Sequence, residues 1–128
     1  SLPKNVIISY GRITSEALAA QKELADHNIA CAVVLLLTLK PLERQAKRLA
    51  ERLLPDSRIV FLEEGIYEGG VMMQLRELLW DDTECASFSG RILALRGEIP
   101  EQAPLEHLYR KCHMAKEDIT AYFLGGTA

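Results

Sequence analysis

Two spacings of apolar residues alternate along the chain. Apolar runs that predict strands occur at four places, which are Val6–Tyr10, Ile29–Leu39, Arg58–Leu62 and Arg91–Leu95. Between these runs, apolar residues recur every three to four positions, as they do on one face of an amphipathic helix. The predicted helices cover Thr14–Asn28, Leu42–Leu53, Gly69–Trp80, Leu105–His113 and Lys116–Phe123. The pattern therefore predicts strands that alternate with helices.

Individual residues mark where these elements begin and end. Gly11 permits a sharp turn after the first strand, and Thr14 or Ser15 can cap the start of the next helix. Asn28 tolerates the left-handed geometry that often ends a helix. The run Ile29–Leu39 is apolar on both of its faces, which predicts a fully buried parallel strand.

Alternating strands and helices predict parallel strands joined by right-handed crossovers, with helices on both faces of the sheet. We expect an α/β fold, a three-layer α/β/α sandwich whose mainly parallel sheet of about four strands has the order 2-1-3-4. The length of 128 residues is that of one domain. Residues 1–128 are therefore expected to form a single domain.

Ligands bind such sheets at the switch point, where neighbouring crossovers leave in opposite directions. In the order 2-1-3-4, the switch point falls between the ends of the first and third strands. The residues predicted to border this crevice lie at two strand ends and one helix start, and they are Gly11, Arg12, Glu63, Glu64, Gly69 and Gly70. These residues form the candidate ligand site.

The two carboxylates suggest acid/base chemistry, but neighbours on a strand point to opposite faces. Only one of Glu63 and Glu64 can therefore enter the crevice, and an ion pair with Arg12 is favoured over catalysis because paired charges commonly serve structure. A helix that starts at Gly69-Gly70 would present N–H groups to an anion, but no nucleotide-binding glycine motif accompanies it. The residues predict no complete catalytic set.

The net charge, the cysteines and the histidines argue against several kinds of binding partner and against a metal site. The net charge of −3 gives no electrostatic reason to expect nucleic acid or an anionic membrane as partner, and no apolar stretch is long enough to span a bilayer. Cysteines without a CxxC spacing predict reduced thiols in a cytoplasmic protein, and they are Cys31, Cys85 and Cys112. The histidines lack metal-ligand spacing, and they are His27, His107 and His113. We expect no metal site.

Three segments in order resemble the C-terminal domain shared by transketolases, deoxyxylulose-phosphate synthases and the β-subunits of 2-oxoacid dehydrogenases. They are VIISYGRITSEAL at Val6–Leu18, VVLLLTLKPLE at Val33–Glu43 and IVFLEEGIYEGGV at Ile59–Val71. The resemblance covers nearly the whole chain and is closest to 1-deoxy-D-xylulose-5-phosphate synthase. It implies a transketolase C-terminal-domain-like fold. Because the chain begins almost at its first strand, we expect a C-terminal fragment of a longer enzyme.

The resemblance also implies where the chemistry takes place. Deoxyxylulose-phosphate synthases condense pyruvate with glyceraldehyde 3-phosphate on thiamine diphosphate, with Mg, for isoprenoid and thiamine biosynthesis. In the family the cofactor binds between the two preceding domains, so no catalytic, cofactor-binding or metal residue is expected in residues 1–128. The expected partners are the preceding domains of the same chain and a second copy in a homodimer.

Three functions remain open. The leading hypothesis is the C-terminal domain of a deoxyxylulose-phosphate synthase, with a transketolase or a 2-oxoacid dehydrogenase β-subunit as near alternatives. The second is a regulatory module that binds a small anion at the switch point through Arg12 and the Gly69-Gly70 helix start. The third is a purely structural dimerisation domain. The chain departs from many relatives at the second strand, where Leu35 and Leu37 stand in place of an Asp and an Arg.

Overall fold

The computed structural model describes residues 1–66, 70–82, 87–95 and 113–125. The elements within these ranges are β1 (Asn5–Ser9), α1 (Thr14–Asp26), β2 (Cys31–Leu35), α2 (Leu42–Arg52), β3 (Ser57–Ile66), α3 (Val71–Asp81), β4 (Phe88–Leu95) and α4 (Lys116–Phe123). The helix predicted for Leu105–His113 lies, except for its last residue, outside the described residues. In the described part of the chain, no helix is long and apolar enough to cross a membrane.

The four strands form one parallel sheet in the order β2-β1-β3-β4. β1 is central, since Ile7 aligns with Val33 of β2 on one side and with Val60 of β3 on the other. Helices α1 and α4 pack on one face of the sheet, and α2 and α3 pack on the other. The predicted three-layer sandwich and its strand order are confirmed.

β1 supplies both cores. Ile7 packs with α1 and α4, whereas Val6 and Ile8 pack with α2 and α3, and all three side chains are inaccessible to solvent. Neighbouring residues of a strand point to opposite faces, so a strand covered on both faces must be apolar throughout. Each such side chain stabilises the fold by about 1.5–3 kcal/mol relative to exposure.

β2 departs from the prediction. The sequence predicts a buried strand over Ile29–Leu39, but the strand covers only Cys31–Leu35 and lies at the edge of the sheet. Cys31 is buried, whereas Leu35 is 48% exposed and Leu37, beyond the strand, is 85% exposed. The prediction of full burial is wrong because an edge strand has only one neighbouring strand to cover it.

The start of α1 also departs from the prediction. Thr14 and Ser15 are the first residues of the helix, its N-cap is Ile13, and no side chain caps it. The Thr14 hydroxyl oxygen instead lies 3.0 Å from Ser9 Oγ, and the Ser15 hydroxyl donates to the Arg12 carbonyl oxygen at 3.2 Å. The two hydroxyl groups therefore tie the helix to the last residue of β1 and to the loop that follows it.

The two predicted chain reversals are confirmed. Gly11 has a φ of 79° and Asn28 has a φ of 60°, both in the left-handed region that few residue types adopt. The backbone N–H groups of Asn28 and Ile29 donate to the carbonyl oxygens of Ala25 and Leu24. This pair of bonds is the Schellman arrangement that ends a helix.

One side chain holds α4 against β3. The Arg58 guanidinium donates to the carbonyl oxygens of Tyr122 and Phe123, and its carbon lies 4.7 Å from the centre of the Tyr122 ring. A cation at this end of a helix also meets the negative end of the helix dipole. Arg58 therefore positions the C-terminal end of α4 on the sheet.

Candidate functional site

The switch point lies where β1 ends beside β3. Ser9 aligns with Leu62, and β3 continues to Ile66 instead of ending at Leu62 as predicted. Glu63 and Glu64 therefore lie on β3, beside the segment that follows Ser9. Of the predicted site residues, Gly69 lies outside the described residues, and the structure places the other five around this junction.

Glu63 is buried to 1% exposure, and both of its carboxylate oxygens are occupied. Oε2 accepts a hydrogen bond from the Tyr10 hydroxyl at 2.6 Å, and Oε1 accepts one from the Met72 backbone N–H at 3.1 Å. Hydrogen bonds to an ionised acceptor are stronger than neutral ones. They offset the cost of removing a carboxylate from water, and they connect β1, β3 and α3.

The bond to Met72 caps helix α3. The N-cap residue is Gly70, which has extended backbone angles and no side chain to accept a hydrogen bond. Glu63 supplies the missing acceptor from the neighbouring strand, and its negative charge meets the positive end of the helix dipole. The helix start predicted to receive an external anion therefore already holds a carboxylate of the chain itself.

Glu64 points away from Glu63 and meets Arg12. The Arg12 Nη2 atom lies 3.1 Å from Glu64 Oε2, and the two side chains are 71% and 28% exposed. The predicted ion pair is present, and strand alternation decides that Glu64 makes it. An exposed pair of this kind contributes at most about 1 kcal/mol. Ligand binding beside these residues stays a prediction.

Tyr10 belongs to the site but is absent from the predicted set. Its pKa is raised above the ordinary value by burial first, then by the hydrogen bond to Glu63 and by the negative charges of Glu63 and Glu64. The available signal was a tyrosine at the end of a buried strand, since a buried phenol usually finds a partner. Tyr10 stays protonated at neutral pH, so its hydroxyl can donate the hydrogen bond to Glu63. We call this hydrogen bond the Tyr10–Glu63 clamp.

The two histidines that the structure describes, His27 and His113, do not belong to a metal site. His27 Nδ1 lies 2.9 Å from the Glu23 carbonyl oxygen, His113 Nδ1 lies 3.5 Å from Asp118 Oδ1, and His107 lies outside the described residues. In the ranges that the structure describes, no group of three or more His, Cys, Asp or Glu side chains is arranged to hold a metal ion.

Cys31 is a free, buried thiol at the start of β2. Burial raises its pKa to about 12, because a thiolate is costly to form away from water. The thiol is therefore protonated and unreactive at neutral pH. Cys85 and Cys112 lie outside the described residues.

Comparison with known proteins places this arrangement in a family. Residues 3–119 match the family model described as "Transketolase, C-terminal domain". The chain belongs to the transketolase C-terminal domain family. The switch point and its Tyr10–Glu63 clamp are thus features of a transketolase C-terminal domain.

Solved structures agree with this assignment. Among 29 matching chains is one described as "Split gene transketolase, inactive beta4 tetramer", with 26% sequence identity and a TM-score of 0.76. The match covers 96% of this chain and 39% of that transketolase chain, so the domain spans less than half of it. No curated protein matches the sequence.

The adjacent carboxylates provide a matched test of the clamp. Glu63→Gln is expected to lower the free energy of unfolding by about 1.5–3 kcal/mol, because it removes the charge from two hydrogen bonds of a buried group. Glu64→Gln is expected to lower it by less than about 1 kcal/mol, since the pair with Arg12 is exposed. Urea denaturation measures both values. Equal effects at the two positions would contradict the clamp.

Alkaline titration tests the environment of Tyr10. Its phenol should ionise above the value of about 10 for an exposed tyrosine, and Tyr10→Phe should remove the last-ionising group from the ultraviolet phenolate absorbance. The stabilisation that the protonated Tyr10 side chain contributes is complete at pH values below the pKa of Tyr10 in the unfolded chain. It is lost as pH rises through the pKa of Tyr10 in the folded chain, because in this range the native state binds more protons than the unfolded state. Tyr122→Phe is the control. If Tyr10→Phe instead removes a tyrosine that ionises at a lower pH than the others, the clamp is contradicted.

Proposed function

We propose that the chain acts as the C-terminal domain of a thiamine-diphosphate-dependent transferase of the deoxyxylulose-phosphate synthase type. The observation that carries the proposal is the family match over residues 3–119. The resemblance of the three segments favours the synthase over its relatives. A transketolase fits the family match and the structural likeness equally well, and it is the second candidate.

The proposed role of residues 1–128 is structural support for an active site formed by other domains. The polar groups at the switch point support this role, because Glu63 already accepts hydrogen bonds from Tyr10 and from the start of α3. Arg12 is paired with Glu64. Thiamine diphosphate and Mg would bind in the preceding domains, as they do in the family that the chain resembles.

The activity of the whole enzyme decides between the candidates. The coding sequence that flanks residues 1–128 on both sides would be determined. The full-length protein that it encodes would be assayed with thiamine diphosphate and Mg²⁺. A synthase joins pyruvate to glyceraldehyde 3-phosphate, forming 1-deoxy-D-xylulose 5-phosphate and releasing CO₂. A transketolase moves a two-carbon unit from a ketose phosphate to an aldose phosphate without consuming pyruvate.

Each result of the assay has one meaning. Pyruvate-dependent product that disappears when thiamine diphosphate is omitted supports the synthase. Two-carbon transfer without pyruvate supports the transketolase and contradicts the synthase. A product that carries the family's cofactor motif, Gly-Asp-Gly followed by Asn-Asn, yet shows neither activity would overturn both candidates.

We also propose that the domain forms a homodimer through the surface beside β2. Leu35 and Leu37 expose large apolar side chains there, and β2 pairs only with β1 among the described strands. Exposed apolar residues at a sheet edge favour association with another chain. The matched transketolase is described as a tetramer, which supports an assembly of copies.

Sedimentation of the chain tests the homodimer. Leu37→Lys is expected to weaken self-association at least tenfold, because it places a charge on the apolar contact. Leu124→Lys is the matched control, since Leu124 is also exposed, to 46%. It lies at the opposite end of the sheet, next to Phe123, whose carbonyl oxygen binds Arg58. A monomeric wild-type chain, or equal effects of the two variants, would contradict the proposal.

A further inference from the structure

We propose that the cleft between β4 and α4 binds a small oxyanion, a phosphate or carboxylate group, through Arg91. The cleft has a volume of about 140 Å³, and its lining residues are Arg91, Leu93, His113, Asp118, Ala121 and Tyr122. It lies on the face of the sheet that carries α1 and α4, opposite the face on which Glu63 caps α3. This site is independent of the proposed function of the domain.

Arg91 points into the cleft because of its place on β4. Residues two apart on a strand share a face, and Leu93 belongs to the core beneath α1 and α4. Arg91 is partly buried, yet it forms no ion pair or hydrogen bond with any residue that the structure describes. A guanidinium group offers several N–H donors in a planar fork, which matches the oxygens of a carboxylate or a phosphate.

The acidic residue of the cleft is already engaged elsewhere. Asp118 Oδ2 accepts a hydrogen bond from the Ala115 backbone N–H at 3.1 Å, which caps the start of α4. Its other oxygen, Oδ1, lies 3.5 Å from His113 Nδ1. The Asp118 carboxylate is therefore directed to the helix start and to His113, and Arg91 has no ion-pair partner among the described residues.

The opposite wall of the cleft adds a hydroxyl donor. The Tyr122 hydroxyl lies 3.5 Å from Ser89 Oγ, a distance at the limit of a hydrogen bond, so its O–H can turn toward a ligand. The Arg91 guanidinium and the Tyr122 hydroxyl donor favour an anion over a metal ion or an apolar ligand.

The size of the cleft limits the ligand. A volume of 140 Å³ corresponds to about four or five water molecules at about 30 Å³ each. Pockets for larger organic ligands start at about 300 Å³. The cleft therefore suits a single phosphate or carboxylate group, either as a small metabolite or as the anionic end of a longer molecule.

Amide NMR spectra of the chain provide the test. Inorganic phosphate and acetate would be titrated separately at constant ionic strength, with chloride as the balancing ion. Saturable shifts centred on Arg91, Leu93 and Tyr122 are expected with at least one of the two probes. Saturation by phosphate alone assigns a phosphate ligand, and saturation by acetate assigns a carboxylate.

Three variants separate specific binding from general electrostatic attraction. Arg91→Gln is expected to raise the Kd at least tenfold, and Tyr122→Phe is expected to raise it less, because it removes a neutral donor. Arg44→Gln is the charge-matched control, since Arg44 is exposed on α2 at the opposite face, and its Kd should equal that of the wild type.

Three results would overturn the oxyanion site. The first is an absence of saturable shifts with both probes, and the second is an equal loss of affinity in Arg91→Gln and Arg44→Gln. The shift map of the wild-type chain needs no variant, so it decides the outcome even if Arg91→Gln fails to fold. The third result, shifts centred on Arg12 and Gly70, would place the anion at the switch point and would also contradict the proposal.

Discussion

The buried carboxylate of Glu63 is the constraint on which the switch point depends. Its two oxygens accept hydrogen bonds from Tyr10 after β1 and from Met72 at the start of α3, so one side chain of β3 joins three elements. A buried carboxylate without such partners is costly. The loop after β1 and the start of α3 must therefore stay where they supply these donors, and Arg12 is left to Glu64 on the other side of the strand.

This constraint also bears on function. A ligand at the switch point would use the positive end of α3, the Tyr10 hydroxyl or the Arg12 guanidinium, and each of these groups already has a partner within the chain. These internal contacts support the proposed structural role of the domain. Arg91, a partly buried charged group without such a partner among the described residues, lies on the other face of the sheet.

The places where prediction and structure differ share a cause. The run from Ile29 to Leu39 is apolar enough for a buried strand, but burial depends on how many strands flank it, and β2 has one. Thr14 has the chemistry of an N-cap, but the preceding loop brings Ser9 within 3.0 Å of its hydroxyl. Local pattern identifies what a residue can do, and the neighbours brought by the fold select among those options.

The sequence by itself determined the alternation of strands and helices, the parallel direction of the strands, and the turns at Gly11 and Asn28. These features follow from periodicity, crossover handedness and backbone sterics, which act over short stretches of chain. Only the tertiary structure decided which carboxylate turned inward. Glu63 and Tyr10 are 53 residues apart, and the partner of a buried charge depends on which distant segments pack around it.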